Sequence, residues 1–309
     1  MVTDFVKINY TDRNYELPTD KTDFAISVNN ETGETDDKKT GEYFGMQIIK
    51  YPSERIIVKG SVHKFFNRTD FNGNDFDMKN LSSALQDIET EMGLKPEHCR
   101  LENIEIGVNI QLPFDPNKIL QNLLFHRSVE FNKTISGSFY YQSAKTEYII
   151  KIYNKTAQYE KKLKKIAQSV NMQNESKREE INYLKSTIEQ LLKPNTLRFE
   201  IKFLKMNVPN DLGIIYLSDV VKPEMVEPLK NLLLREFQEV YFYDHTTDES
   251  KMKIPEIEKL KDYRNPNYWV NLNKKDKYYH KNRFEKMTLK YSQNLKQKIA
   301  EIMSKKIES

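Results

Sequence analysis

Apolar and polar residues alternate with a period of two in several short stretches of the chain, which predicts strands with one apolar face. In IEIGVNI, Ile104, Ile106, Val108 and Ile110 share one side, and Glu105, Gly107 and Asn109 share the other. In LRFEIKF, Leu197, Phe199, Ile201 and Phe203 oppose Arg198, Glu200 and Lys202. In YIIKIY, Ile150 and Ile152 oppose Ile149, Lys151 and Tyr153. VKGSVHKFF reads as a further strand on which Lys59, Ser61 and His63 alternate together. It would pair with YFGMQIIK through a turn at Tyr51-Pro52-Ser53-Glu54. FVKINY and DFAISV are short strand-like pieces, and NNETGETDDKK reads as a polar turn. GSFYYQ and EYIIKIYN read as a strand pair around Ser143-Ala144-Lys145.

Helical signals lie between and after these strands. Asp77 is a suitable N-cap for MKNLSSALQDIETEM, and Gly93 stops that helix. Asp115 and Pro116 open a predicted short helix, NKILQNLLFH. Residues 156–193 are rich in charge and helical in composition, as two helices broken near Asn171–Asn174 and ended by Pro194. From about Leu217 the chain reads as mostly helical, through KPEMVEPLKNLLLREFQEV and NPNYWVNL to KMTLKYSQNLKQKIAEIMSKK. Strands with helices interposed, then helices, argue an α+β fold: a central, mainly antiparallel sheet and a helical C-terminal domain. The boundaries expected are 1–206, with a helical insertion at about 156–193, and 207–309.

Composition narrows the class. A chain of 309 residues suggests two domains, or one with elaborations. No apolar run reaches the ~20 residues a membrane span needs, and the N-terminus lacks the apolar core of a signal peptide. A single cysteine, Cys99, excludes a disulfide framework and a cysteine-rich zinc site, so a cytoplasmic setting is expected. The net charge of +4 is unevenly placed: from Lys251 onwards there are 16 Lys/Arg and 7 Asp/Glu, against 33 and 38 in the remainder. A basic tail on a near-neutral body suggests a polyanion partner, or a solvated helical face.

If the alternating strands share one sheet, their polar sides lie together and bring Glu105, Glu200, His63, Lys151 and Tyr153 to one face. Two carboxylates and an imidazole can hold Mg²⁺ or Mn²⁺. A nearby tyrosine can attack a phosphodiester, and Lys151 and Lys155 would favour its anion. The alternative is a solvated sheet face with ordinary Glu–Lys pairs.

The ordered segments IVKGSVHKFFN, NGNDF, LENIEIGVNI, YIIKIYNK and LRFEIKFLK carry a resemblance. Across about Arg55 to Lys205 the chain resembles rolling-circle replication initiators of filamentous phages and small plasmids. It is most similar to the phage/plasmid replication proteins of the gene II type, and it resembles plasmid Rep proteins whose strand motif ends in Tyr-Asn-Lys. The resemblance implies an endonuclease that nicks one strand at an origin, holds the 5′ phosphate on a tyrosine, leaves a 3′ hydroxyl, and later rejoins the strand. The motif tyrosine falls on Tyr153, and the family's acidic metal ligands fall on Glu105 and Glu200, with His63 as a further candidate. Arg198 would orient a carboxylate or a phosphate. Many rolling-circle nucleases carry a His-hydrophobic-His pair; here the histidines are 63, 98, 126, 245 and 280, and no two are two apart. Tyr140, Tyr141, Tyr148 and Tyr159 lie close by, and Tyr159 is a candidate second tyrosine.

For DNA contacts the expected residues are Lys161, Lys162, Lys164 and Lys165 in KKLKK, Arg198, and Lys274, Lys275 and Arg283 in KKDKYYHKNRF. Basic residues interleaved with Tyr278, Tyr279 and Phe284 suit a single strand whose bases stack while its phosphates are neutralised. The expected partner is single-stranded or hairpin origin DNA. No GxxxxGK(S/T) loop is present, so ATP-driven unwinding by this chain is not expected; the resemblance implies a host helicase, and a host polymerase that extends the 3′ end. Two other readings stay open: a non-catalytic origin- or operator-binding protein, and a conjugative relaxase.

Overall fold

The computed structural model describes residues 2–10, 23–28, 35–127, 129–133, 140–144, 147–169 and 175–308. The described strands are β1 (Val2–Tyr10), β2 (Ala25–Val28), β3 (Thr35–Tyr43), β4 (Met46–Lys50), β5 (Ile56–Ser61), β6 (Cys99–Gln111), β7 (Leu123–His126), β8 (Val129–Glu130), β9 (Asn132–Lys133), β10 (Tyr140–Ala144), β11 (Tyr148–Asn154), β12 (Thr196–Phe203) and β13 (Val240–Phe242). The helices are α1 (Val62–Phe66), α2 (Met78–Met92), α3 (Asn117–Leu120), α4 (Lys155–Ser169), α5 (Glu175–Leu191), α6 (Asn207–Asp211), α7 (Pro223–Gln238), α8 (Ile254–Tyr263), α9 (Pro266–Val270), α10 (Lys274–Tyr291) and α11 (Leu295–Glu308). The fold is α+β. Among the described residues, ten strands form a mainly antiparallel sheet in the order β2-β3-β4-β5-β1-β6-β12-β11-β10-β9, and β13-β7-β8 form a small second sheet.

By compactness the chain falls into two units. One unit holds Met1–Gly107, Lys162–Leu192 and Ile201–Asn231; the other holds Val108–Lys161, Lys193–Glu200 and Leu232–Ser309. In the first, β1 pairs antiparallel with β5 and β6, and β3-β4-β5 continue as a meander. The core there includes Val6, Ile8, Ile48, Val58, Phe65 and Ile104. Helix α2 covers it with Leu81, Leu85, Ile88 and Met92, one stripe at helical spacing. Asp77 caps this helix by accepting from Asn80 N at 2.8 Å, and Gly93 ends it in the left-handed region at φ 66°. In the second unit, the C-terminal helices α8 to α10 close on β7 and β13 around Phe125, Tyr241, Tyr263, Trp269 and Phe284.

Four local expectations change. The strand expected through His63 ends at Ser61, whose Oγ accepts from Lys64 N at 3.2 Å. That cap turns the chain into α1, so His63 is a helical residue. The polar run 35–43 is strand β3, largely exposed, held by ladder bonds to β4 through a turn at Phe44-Gly45 where both φ are positive; the preceding NNETG lies outside the described residues. Only 117–120 of NKILQNLLFH is helical, because Leu123–His126 pair with β13 and are buried. The last helix is two, since Asp244 caps a new start by accepting from Leu295 N at 2.8 Å and Ser292 Oγ at 2.9 Å. The turn at Tyr51–Glu54 forms with a 3.0 Å bond from Glu54 N to Tyr51 O. The β10–β11 pair forms too, with Ala144 opposite Ile149, so β10 runs through Ser143 and Ala144; Lys145 lies outside the described residues. Helices α4 and α5 are both present, and the break expected at Asn171–Asn174 falls outside the described residues.

Candidate active site

In the second unit the site begins where β11 becomes α4. Ile150 and Ile152 are buried on one side of the strand, and Lys151 and Tyr153 alternate with them. The next residue, Asn154, ends the strand and accepts from Ala157 N at 3.0 Å, which caps α4. Tyr-Asn-Lys is therefore a strand end, a cap and a first helical residue. Thr156 fastens this junction to the start of β12: its Oγ1 donates to Lys193 O at 2.8 Å and accepts from Thr196 N at 3.0 Å.

Strand β12 contributes Arg198 and Glu200. Tyr153 Oη donates to Glu200 Oε1 at 2.9 Å. Arg198 Nε donates to that same oxygen, and its Nη1 donates to Asn109 Oδ1 at 2.9 Å. Lys151 Nζ lies 3.5 Å from Glu200 Oε2. Lys155 Nζ sits 5.4 Å from the Tyr153 ring centroid and 5.1 Å from that of Tyr159. Arg198, Glu200, Tyr153, Lys155 and Tyr159 are all at most 4% exposed. This polar side is thus not a solvated sheet face. Charges buried this deeply persist because each is paired and hydrogen-bonded. The arrangement is a phenol, a carboxylate, and a guanidinium that fixes the carboxylate's orientation. Tyr148, on the other side of the same strand, is different. Its Oη donates to Glu236 Oε2 at 3.1 Å, and burial together with that carboxylate pushes the phenol up to about 12.

In the first unit, Glu105 is buried and its Oε1 pairs with Lys202 Nζ at 2.9 Å. His63 is fully buried, stacks on Phe76 with centroids 4.3 Å apart, and has Nε2 2.8 Å from Asn74 Oδ1. Asn67 Nδ2 donates to the same Asn74 oxygen at 2.8 Å. Beside them Asn72 Nδ2 donates to Asp4 Oδ2 at 2.7 Å, and Ser61 Oγ donates to Asp4 Oδ1. Asn72 and Asn74 belong to the short polar run NGNDF, whereas Asp4 and Asn67 lie outside it and meet it only in the fold. The hard oxygen donors Glu105 and Glu200 are each engaged by protein cations. Among the described residues no group of three or more His, Cys, Asp or Glu is placed to hold a metal ion.

A cleft of about 840 Å³ opens in the first unit between β1, the β3–β4 turn, β5 and α1, lined by Phe5, Gln47, Lys59, Lys64 and Arg68 among others. Arg68 lies between the rings of Phe44 and Phe65, 4.8 and 4.6 Å from their centroids. Of the residues expected to meet DNA, Lys161, Lys164, Lys165, Lys274 and Lys275 are exposed, as are Tyr278 and Tyr279. Lys162 is drawn in by Asp70, donating to its carbonyl at 2.8 Å and to its carboxylate. Arg283 is half-buried. Arg198 orients a carboxylate as expected, that of Glu200, and being fully buried on Glu200 and Asn109 it is not a surface DNA contact; Phe284 belongs to the aromatic core. Comparison with protein-family models, with curated proteins and with solved structures gives no match.

Proposed function

We propose that this chain is a site-specific, single-strand DNA endonuclease and ligase of the rolling-circle type, with Tyr153 as its nucleophile. The observation that carries the reading is the 2.9 Å hydrogen bond from Tyr153 Oη to a Glu200 carboxylate that Arg198 holds in place. A phenol is a weak nucleophile near neutral pH, and an oriented base on its proton is the usual remedy. In the proposed step Tyr153 Oη forms a bond to phosphorus as its proton passes to Glu200. The bond from phosphorus to the 3′ oxygen breaks, and that oxygen leaves as a hydroxyl with a proton returned by Glu200. One phosphodiester is exchanged for another, so the reverse reaction rejoins the strand. Lys155 and Lys151 stabilise the developing phenolate and the phosphoryl oxygens. Exposed Lys161, Lys164, Lys165, Lys274 and Lys275 would position the DNA backbone. Host helicase and polymerase, a cytoplasmic bacterial setting, and Mg²⁺ or Mn²⁺ belong to the proposal on the family resemblance.

Burial favours one rival. Tyr153 is 4% exposed, so the strand must be admitted to it, and a protein that binds an origin without cutting needs no such opening. The test uses single-stranded oligonucleotides tiling the replicon that encodes the chain, with Mn²⁺ or with EDTA. The expected result is a denaturant-resistant protein–DNA adduct with the wild type and none with Tyr153→Phe. An adduct that persists in Tyr153→Phe and vanishes in Tyr159→Phe would move the nucleophile. Salt-dependent binding with no adduct under any condition would leave the non-catalytic reading. A conjugative relaxase would show the same chemistry on a transfer origin.

A further inference from the structure

The C-terminal helices enclose a pocket that the nicking chemistry does not use. It measures about 300 Å³ and lies in the second unit between β13, α10 and α11. Tyr241, Phe284 and Leu289 supply apolar wall, and Lys296 enters from the first turn of α11. Asp244 fixes where α11 starts, and so fixes Lys296 at the second helical position. The Lys296 amine donates to Gln238 O at 2.5 Å and lies 4.3 Å from the Tyr241 ring centroid. Among the described residues, no carboxylate pairs with it. Its neighbour Lys281 lies 4.6 Å from the same ring centroid but is paired, 3.5 Å from Glu239. Glu285 is occupied as well, accepting from Tyr241 Oη at 2.6 Å. Lys296 is therefore a half-buried amine held by one carbonyl and one aromatic ring, beside a cavity with room for a small molecule.

We propose that Lys296 is a covalent modification site, acylated by small acyl phosphates that enter this pocket. Three features support the chemistry. The amine is desolvated, which brings its pKa down to about 8 against the opposing pull of Glu285 and Glu239, so a useful fraction is unprotonated near neutral pH. The neighbouring Lys281 ammonium offsets the charge of a departing phosphate. The pocket accommodates the acyl group on the product. In the step the amine nitrogen forms a bond to the carbonyl carbon, and the bond from that carbon to the phosphate oxygen breaks. Phosphate leaves with the electron pair, and the nitrogen's proton goes to water. The product is a neutral amide, so one of the two cations beside Tyr241 is lost.

The test treats the full-length protein with acetyl phosphate and measures site occupancy by peptide mass spectrometry. Lys298 and Lys305, exposed on the same helix, serve as internal references. A lysine with ordinary basicity is ~100-fold poorer in free amine than one near 8, so labelling of Lys296 about tenfold faster than the references is expected at pH 7.5 after allowing for its burial. Its rate should level off above about pH 8.5. Unfolding in urea should erase the preference. Leu289 lines the pocket and is 61% exposed, so Leu289→Trp should fold normally and close the entrance. In that variant Lys296 labelling should fall several-fold with Lys298 unchanged. Labelling of Lys296 no faster than Lys298, a preference that survives urea, or indifference to Leu289→Trp would each overturn the proposal.

Discussion

A carboxylate taken out of water keeps its charge only through its partners, and Glu200 has them in Tyr153, Arg198 and Lys151. Arg198 has a second duty, because its guanidinium also reaches Asn109. Arg198→Met would leave Glu200 with a buried charge short of its guanidinium, and should cost about 3–5 kcal/mol in urea unfolding. Arg198→Lys should recover only part of this, since one ammonium cannot span both acceptors with fixed geometry. Glu236 shows the same physics with a pH signature. Burial alone would raise its carboxyl, but His126 at 3.2 Å and Arg127 through two nitrogens at 3.0 and 2.7 Å bring it well below the ordinary range. The folded pKa is depressed, so the stabilisation is fully present above the unfolded value and is lost as pH falls through the folded one. Measured by urea unfolding, Glu236→Gln should therefore be less stable than the wild type at pH 7, and the gap should narrow from about pH 5 downwards. A gap that stays constant to pH 3 would remove Glu236 as its source.

Local signals decided whole elements where a cap or a turn could be read in a few residues. The helix from Met78 to Met92 is such a case: Asp77 accepts from Asn80 N, Gly93 takes the left-handed conformation, and both were legible. Asp77→Ala should cost about 1 kcal/mol and Gly93→Ala about 1–2 kcal/mol, with additive losses in thermal unfolding because the two ends of α2 share no contact. The misread elements have a common cause. VKGSVHKFF alternates like a strand, but Ser61 is both the last strand residue and the helix cap, and the cap prevails from Val62. LLFH has helical neighbours and becomes a strand because Val240–Phe242, over a hundred residues away, offer it an edge. Asp244 likewise sets the start of α11 from about 50 residues upstream. No window of sequence around Leu295 contains that instruction.

On the scale of the whole molecule, strand alternation foretold that Lys151, Tyr153 and Glu200 would meet, but not that His63 would leave the strand or that the polar side would be buried. Burial depends on what packs over a strand, and that is set by segments distant in the chain. It is why Phe284, read as a DNA contact from its basic and aromatic neighbours, and Arg198, given a phosphate or a carboxylate to orient, turn out to be interior residues. The cations left at the surface narrow the proposed DNA contacts to fewer residues. The charge is concentrated late in the chain, where residues from Lys251 onwards carry +9 and the rest −5. Helix α10 presents Lys274 and Lys275 together with Tyr278 and Tyr279, which are 71% and 60% exposed. If this face holds a single strand, charge and stacking can be separated by their response to salt. Each phosphate neutralised by a lysine adds about −0.7 to the slope of log affinity against log salt for single-stranded DNA. Lys274→Gln with Lys275→Gln should therefore make the slope shallower by about 1.4. Tyr278→Ala should instead weaken binding by about 1–3 kcal/mol at every salt concentration and leave the slope unchanged. Fluorescence titration of a labelled oligonucleotide between low and physiological salt reads both quantities. Parallel losses in the two variants, with neither changing the slope, would mean that α10 supports the fold of the C-terminal helices and does not touch the strand.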